Sequence, residues 1–165
     1  TLREILLQAG AEQNIREFGF YAMNALRLEK SFGVWSAEFT QDRTPGMTGM
    51  DRWIDWSRDN FIGHEAASKE RSGGDVPQQL VTLEIDADDA DASGYEPIWQ
   101  NDKRVGFVTS GGYGHYTAKS LAMGLLDTGV NEEDGPLMVD VVGKRRTART
   151  LTEAAWDPKG VRIRL

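Results

Sequence analysis

Hydrophobic positions along the 165-residue chain follow two regimes, a helical spacing up to about residue 71 and a period of two from about residue 79 onward. At the start, Leu2, Ile5, Leu6 and Ala9 fall on one helical face. Thr1 and Glu4 form a capping-box pattern ahead of them, and Gly10 is a fitting stop. The spacing predicts a second helix from Phe20 to Lys30, with Tyr21, Ala25 and Leu28 on one stripe and Leu26 extending it. Arg27 lies one turn from Met23 and Asn24 on this helix, so the three can meet the same neighbour. After Gly33 the pattern turns irregular, yet Trp35, Phe39, Met47, Met50, Trp53, Ile54 and Trp56 crowd into it. That much aromatic surface in a loop needs something large to pack against, or a pocket to line. A short helix from His64 to Arg71 follows and ends at Ser72-Gly73-Gly74, where a domain boundary is expected.

Beyond it the alternation is that of strands. Leu80–Ile85, Pro97–Trp99, Val105–Thr109 and Leu121–Leu126 form four, and Leu137–Val142 with Lys144–Leu151 form a hairpin about Gly143. Six short strands with weak helical pattern predict a small antiparallel barrel or sandwich, and an α+β chain overall. The run Asp86–Asp91 between the first two strands lacks the glycine and the terminal glutamate of a calcium loop, so a solvated, mobile excursion is expected. The stretch from Arg104 to Gly124 reads as strand, glycine loop and strand. Gly111, Gly112 and Gly114 supply the turn, with Tyr113, His115 and Tyr116 in it or just after it. Such a loop suits an ordinary hairpin, or the close approach of a backbone to a flat ligand.

Composition narrows the function classes. The net charge of −7 disfavours nucleic acid and anionic membranes, which select basic patches. No apolar run reaches the roughly 18 residues of a membrane span. With no cysteine, thiolate metal sites and a cysteine nucleophile are excluded. The chain starts at Thr1 directly in a helical pattern, as a piece excised from a longer protein would. His64 and His115 lack acidic partners at metal-ligand spacing, so no metal site is expected. No nucleophile elbow, Walker loop or dinucleotide fingerprint occurs, and Ser110 is expected to cap a turn. On an ordinary helix, Arg27 and Glu29 would sit in solvent or in a surface ion pair. The residues alone describe the wall of a site better than a reaction.

Several blocks occur in order that together resemble one family. These are Tyr21 to Lys30, Thr44-Pro45 with Gly49-Met50-Asp51, Phe61 to Ala66, Val108 to His115, Lys119 to Gly124, and Trp156-Asp157-Pro158. The set resembles the C-terminal half of the glycine-cleavage T-protein (aminomethyltransferase) family, and most of all the folate-binding portion of dimethylglycine and sarcosine dehydrogenases. The resemblance implies the end of a mixed α/β folate-binding domain over residues 1–74, followed by a six-stranded antiparallel β-barrel over 75–165. It implies tetrahydrofolate as cofactor, with FAD in a separate N-terminal domain for the dehydrogenase type. It also implies a small methylated amine as partner, and a cytoplasmic location, or the mitochondrial matrix in a eukaryote. The family's catalytic aspartate and pterin-holding glutamate lie upstream of Thr1, so no catalytic residue is assigned here. Where the aminomethyltransferases carry Arg-Asp, this chain has Met23-Asn24, the dehydrogenase form. The family's folate-side tryptophan falls at Arg52 by count, with Trp53 next to it, so Trp53 is the implied cofactor contact, and Arg27 a structural residue. From the glycine loop itself, Tyr113 and His115 are expected to face the folate-binding domain, either reaching the cofactor or packing the domain interface. Alternatives are a stand-alone aminomethyltransferase or folate-dependent demethylase, and a non-catalytic folate-binding regulatory or docking module.

Overall fold

The structure, a computed structural model, describes residues 1–73 and 76–164. Helix α1 (Leu2–Ala9) carries the expected capping box, with the Thr1 hydroxyl and Glu4 side chain exchanging bonds with each other's backbone. Helices α2 (Phe20–Glu29), α3 (Pro45–Thr48) and α4 (His64–Gly73) complete the helical layer. The expected boundary between 74 and 75 lies outside the described residues.

Six strands follow: β1 (Gln78–Ile85), β2 (Pro97–Gln100), β3 (Lys103–Gly114), β4 (Lys119–Asp127), β5 (Leu137–Val141) and β6 (Lys144–Leu151). They close into an antiparallel barrel in the order β1-β4-β3-β2-β5-β6, with β6 returning to β1. This is the α+β class with the six-stranded barrel. The β5–β6 turn is the two residues Val142 and Gly143, both at positive φ, as a tight hairpin requires. Asn101 and Asp102 make the same kind of turn between β2 and β3.

The barrel is apolar on both surfaces of its β3–β4 wall. Leu83, Ile98, Val108, Ala122, Leu137 and Val139 fill the interior. On the outside, Leu121 and Met123 pack with Leu28 of α2. Neighbouring β4 residues therefore serve two cores, which is why the whole of this strand from Ser120 to Leu126 is buried.

Three features differ from the sequence reading. The glycines at 111, 112 and 114 belong to β3 itself, and the turn is His115–Ala118. Their missing side chains serve close approach: a Cβ on Gly111 would lie 2.2 Å from the Ala92 carbonyl oxygen, and one on Gly114 2.9 Å from Glu29 Cγ. The stripe on α2 is only half covered, since Ala25 and Leu28 are buried while Tyr21 stands 90% exposed. The barrel meets one edge of that helix, and Phe20, Tyr21 and Leu26 lie on the uncovered edge. Lastly, the Asp86–Asp91 excursion is tied down. Asp89 pairs with Lys144 and Arg146, Asp91 accepts from Ser120 (2.7 Å), and Ala87 and Ala90 pack on the core.

Leu28 is fully buried between α2 and β4, whereas Leu26 is 53% exposed two residues earlier. Leu28→Ala is expected to cost about 2–5 kcal/mol of unfolding free energy, and Leu26→Ala about 0.5 kcal/mol or less, read from urea unfolding.

Candidate functional site

Arg27 and Glu29 of α2, with Lys30 at its C-cap, tie this end of the helix to the rest of the chain, each in its own way. The Arg27 guanidinium is buried; its Nε and Nη2 donate to Asn24 Oδ1 at 2.9 and 2.7 Å, and its Nη1 lies 3.4 Å from Glu38 Oε2. Burial pulls the Arg27 pKa down from its ordinary value, and the Glu38 charge opposes that shift. Glu29 is also buried, and its Oε1 accepts from the backbone N–H groups of Tyr116 (2.9 Å) and Thr117 (2.7 Å). That carboxylate therefore caps the β3–β4 turn. Lys30 Nζ donates to the Asp157 carbonyl oxygen at 2.5 Å and lies over the Trp156 ring at 5.3 Å. The ordinary expectation of solvated helix-end charges is overturned at Arg27 and Glu29, because the barrel wall covers that end of α2. The structural role implied for Arg27 by the resemblance agrees with this geometry.

Glu38 is fully buried and was not singled out by its sequence neighbourhood. Its Oε1 accepts from the hydroxyls of Thr109 (2.6 Å) and Ser110 (2.5 Å), and its Oε2 from the Val34 backbone N–H (2.8 Å). Ser110 thus caps no turn; it sits in β3 and is held by this carboxylate. No spacing pattern announces Glu38, since Thr109 and Ser110 lie on a strand far from it in the chain.

Tyr113 and His115 come together at the barrel end, ring centroids 5.2 Å apart and edge to face. Both line a cleft of about 830 Å³ between the Asp86–Asp91 excursion, the β3–β4 turn and β6. Ile85, Ser120 and Ala148 are its buried floor. Five carboxylates line it, from Glu84, Asp86, Asp88, Asp89 and Asp91, against the cations Lys119 and Arg149. Both cations are bound to Glu84, at 2.7 and 2.8 Å. Burial pushes the Glu84 carboxyl up, but the Lys119 hydrogen bond and charge, followed by Arg149, outweigh it and hold the group below its ordinary value.

Trp53 lies elsewhere, in a single helical turn over Asp51–Trp53, 74% exposed, with the Arg52 guanidinium 5.6 Å from its ring. Its neighbour Trp56 is more covered: Arg71 stacks on the ring at 4.5 Å, and the indole donates to the Asp51 carbonyl oxygen. Among the described residues no contact joins Trp53 to the Tyr113–His115 pair. Tyr113 and His115 point away from α2, whose neighbours on β3 are Gly112 and Gly114. The acidic lining of this cleft repels an anionic ligand.

The family model for the glycine cleavage T-protein C-terminal barrel domain matches residues 78–157, and the GCVT N-terminal domain model matches 1–58. Dimethylglycine dehydrogenase of Mus musculus, a mitochondrial protein, is 36% identical over all of this chain and 19% of its own length. The Homo sapiens protein of that name is 37% identical over the same shares. An aminomethyltransferase of Desulfitobacterium hafniense is 30% identical over 95% of this chain and 42% of its own. Among solved structures, a glycine cleavage system aminomethyltransferase T from Bartonella henselae superposes with a TM-score of 0.79 at 21% identity, over 93% of this chain and 43% of that one. The chain thus spans about a fifth to two-fifths of the relatives it matches. No helix among the described residues is long and apolar enough to cross a membrane.

The Glu84 carboxyl, held low, contributes stability above its ordinary value of 4.5 that is lost as pH falls through its lowered value. Lys119→Met is expected to raise the Glu84 titration midpoint, followed by NMR. The melting-temperature gap between this variant and the parent should be widest above pH 5 and close as acid protonates Glu84, since the lost attraction acts only on the carboxylate.

Proposed function

The chain belongs to the glycine-cleavage T-protein superfamily, and from that premise we propose that it is the C-terminal region of a tetrahydrofolate-dependent one-carbon-transferring enzyme of the dimethylglycine or sarcosine dehydrogenase type. The observation that carries the finer reading is the match to dimethylglycine dehydrogenases along the whole chain at 34–37% identity, above the 28–32% of the aminomethyltransferases. Met23-Asn24 supports it. A methionine cannot make the paired contact with a carboxylate that arginine makes, and Asn24 is engaged with Arg27 and the Gly111 carbonyl oxygen.

In this reading residues 1–74 end the folate-binding domain and 75–165 form its barrel. The uncovered apolar edge with Phe18, Phe20 and Tyr21, together with an α1 that buries nothing, supports such a division, because a lone helix rarely leaves that much apolar surface in water. Bound tetrahydrofolate would accept the one-carbon unit from a methylated amine. Trp53 offers it a flat exposed ring with the Arg52 cation at hand for a carboxylate, and Tyr113 and His115 an aromatic edge. The catalytic acid or base, and a flavin for the dehydrogenase type, would come from outside this chain.

Tetrahydrofolate binding by the intact protein tests the assignment. Trp53→Ala is expected to weaken it by about 1–3 kcal/mol with little change in melting temperature, and His115→Ala to do the same if the cleft aromatics touch the cofactor. Unchanged affinity in both variants would remove these residues from the site. The 165-residue chain by itself is expected to bind more weakly than low micromolar, because it supplies one wall only. Calorimetry giving about −8 kcal/mol for that chain would overturn the division of labour.

A further inference from the structure

Along an unbroken strand, residues 108, 110, 112 and 114 share one face and 109, 111, 113 and 115 the other. Strand β3 does not keep this order. Val108 points into the barrel core, yet Ser110 reaches Glu38 on the outside, and Gly112 and Gly114 face Asn24, Leu28 and Glu29 of α2. The inversion occurs at Thr109. Val108 pairs with Gly124 and Ser110 with Met123, the next residue of β4, so Thr109 is an extra residue bulged out of the ladder. Because of the bulge, the consecutive side chains of Thr109 and Ser110 leave the strand on one side, and both hydroxyls donate to the same oxygen, Glu38 Oε1.

We propose that Glu38 is the positioning residue that holds this bulge, and through it decides that Tyr113 and His115 face the barrel-end cleft. The two halves of β3 make opposing demands. Val108 must enter the core, while position 114, against α2, must have no side chain, since a Cβ there would lie 2.6 Å from Thr117 Oγ1 and 2.9 Å from Glu29 Cγ. One inserted residue reconciles them, and a bulge leaves polar groups that need partners. Glu38 supplies the acceptor for two hydroxyls that exist on one side only in the bulged form. A slip by one residue would turn Tyr113 and His115 toward α2, where there is no room for them. The proposal concerns the register of this chain's own strand and stands whichever cofactor the cleft aromatics meet.

The test removes the carboxylate without leaving an unpaired charge. In the 165-residue chain, Arg27→Met/Glu38→Leu replaces the buried pair by apolar groups. Amide exchange at Gly111–Tyr113 is expected to speed up at least about tenfold more than at the β5–β6 ladder, with loss of the Tyr113–Ser120 cross-strand contact in NMR. Deleting Thr109 in that background takes out the extra residue, restores unbroken alternation, and should recover both the protection and the contact. If the double variant keeps Gly111–Tyr113 protected, the bulge holds without Glu38 and the proposal is wrong. If the double variant fails to fold, the deletion decides: a folded spectrum with the Tyr113–Ser120 contact supports the register role. Failure to recover either signal with Thr109 deleted overturns it, because a merely stabilising Glu38 gains nothing from that deletion.

Discussion

The barrel and the helical layer are joined through a fully buried carboxylate. Glu38 has no exposed surface and collects a guanidinium, a backbone N–H and two hydroxyls from three different parts of the chain. A charge so placed is tolerated only when its lone pairs are satisfied, and removing one partner of such a pair typically costs about 3–5 kcal/mol. Apolar contact at Leu28, Leu121 and Met123 supplies attraction between the layers, but it is indifferent to small sliding motions. The directional bonds of Glu38 are not. They fix where α2 lies along β3, and hence where Glu29 meets the turn and Lys30 meets the tail.

This arrangement explains why the blocks shared with the family cluster where they do. Arg27-Leu28-Glu29-Lys30 is a set of four docking contacts: ion pair, apolar plug, turn cap and tail clamp. Trp156 and Asp157 belong with it, since the Trp156 backbone N–H donates to the Glu29 carbonyl oxygen and Asp157 receives Lys30. The glycines of Val108–His115 serve the same docking from the strand side. Much of the resemblance between this chain and its relatives therefore reports how two layers are joined, and only a few exposed positions remain to report chemistry.

The legible part of the fold was the local part. The Thr1–Glu4 box, the Gly143 hairpin and the six strands follow from caps, turns and alternation that each act within a few residues. The glycine run misled, because glycine at a turn and glycine under a crossing helix look alike in sequence, and only the packing partner separates them. The Asp86–Asp91 run misled for a similar reason. Its charges suggested solvent, while the two alanines between them fasten the segment to the core and Lys144 and Arg146, more than fifty residues on, neutralise Asp89. Glu38 was invisible because the two hydroxyls it holds, on Thr109 and Ser110, are remote in the chain.

For the candidate site the division is sharper. Tyr113 and His115 were legible as aromatics beside glycines, and the structure does pair them, but it turns them to the face opposite α2. Alternation counted from Val108 places them on the wrong side, because the count passes through a bulge whose only sequence trace is two adjacent hydroxyl residues. Two hydroxyls in a row within a strand ordinarily face opposite ways, one in and one out. Where both are needed on one side by a buried carboxylate, the strand must gain a residue, and every side chain beyond it changes face. The chemistry that β3 offers at its far end is thus set by an electrostatic requirement several residues away, through the geometry of the backbone alone.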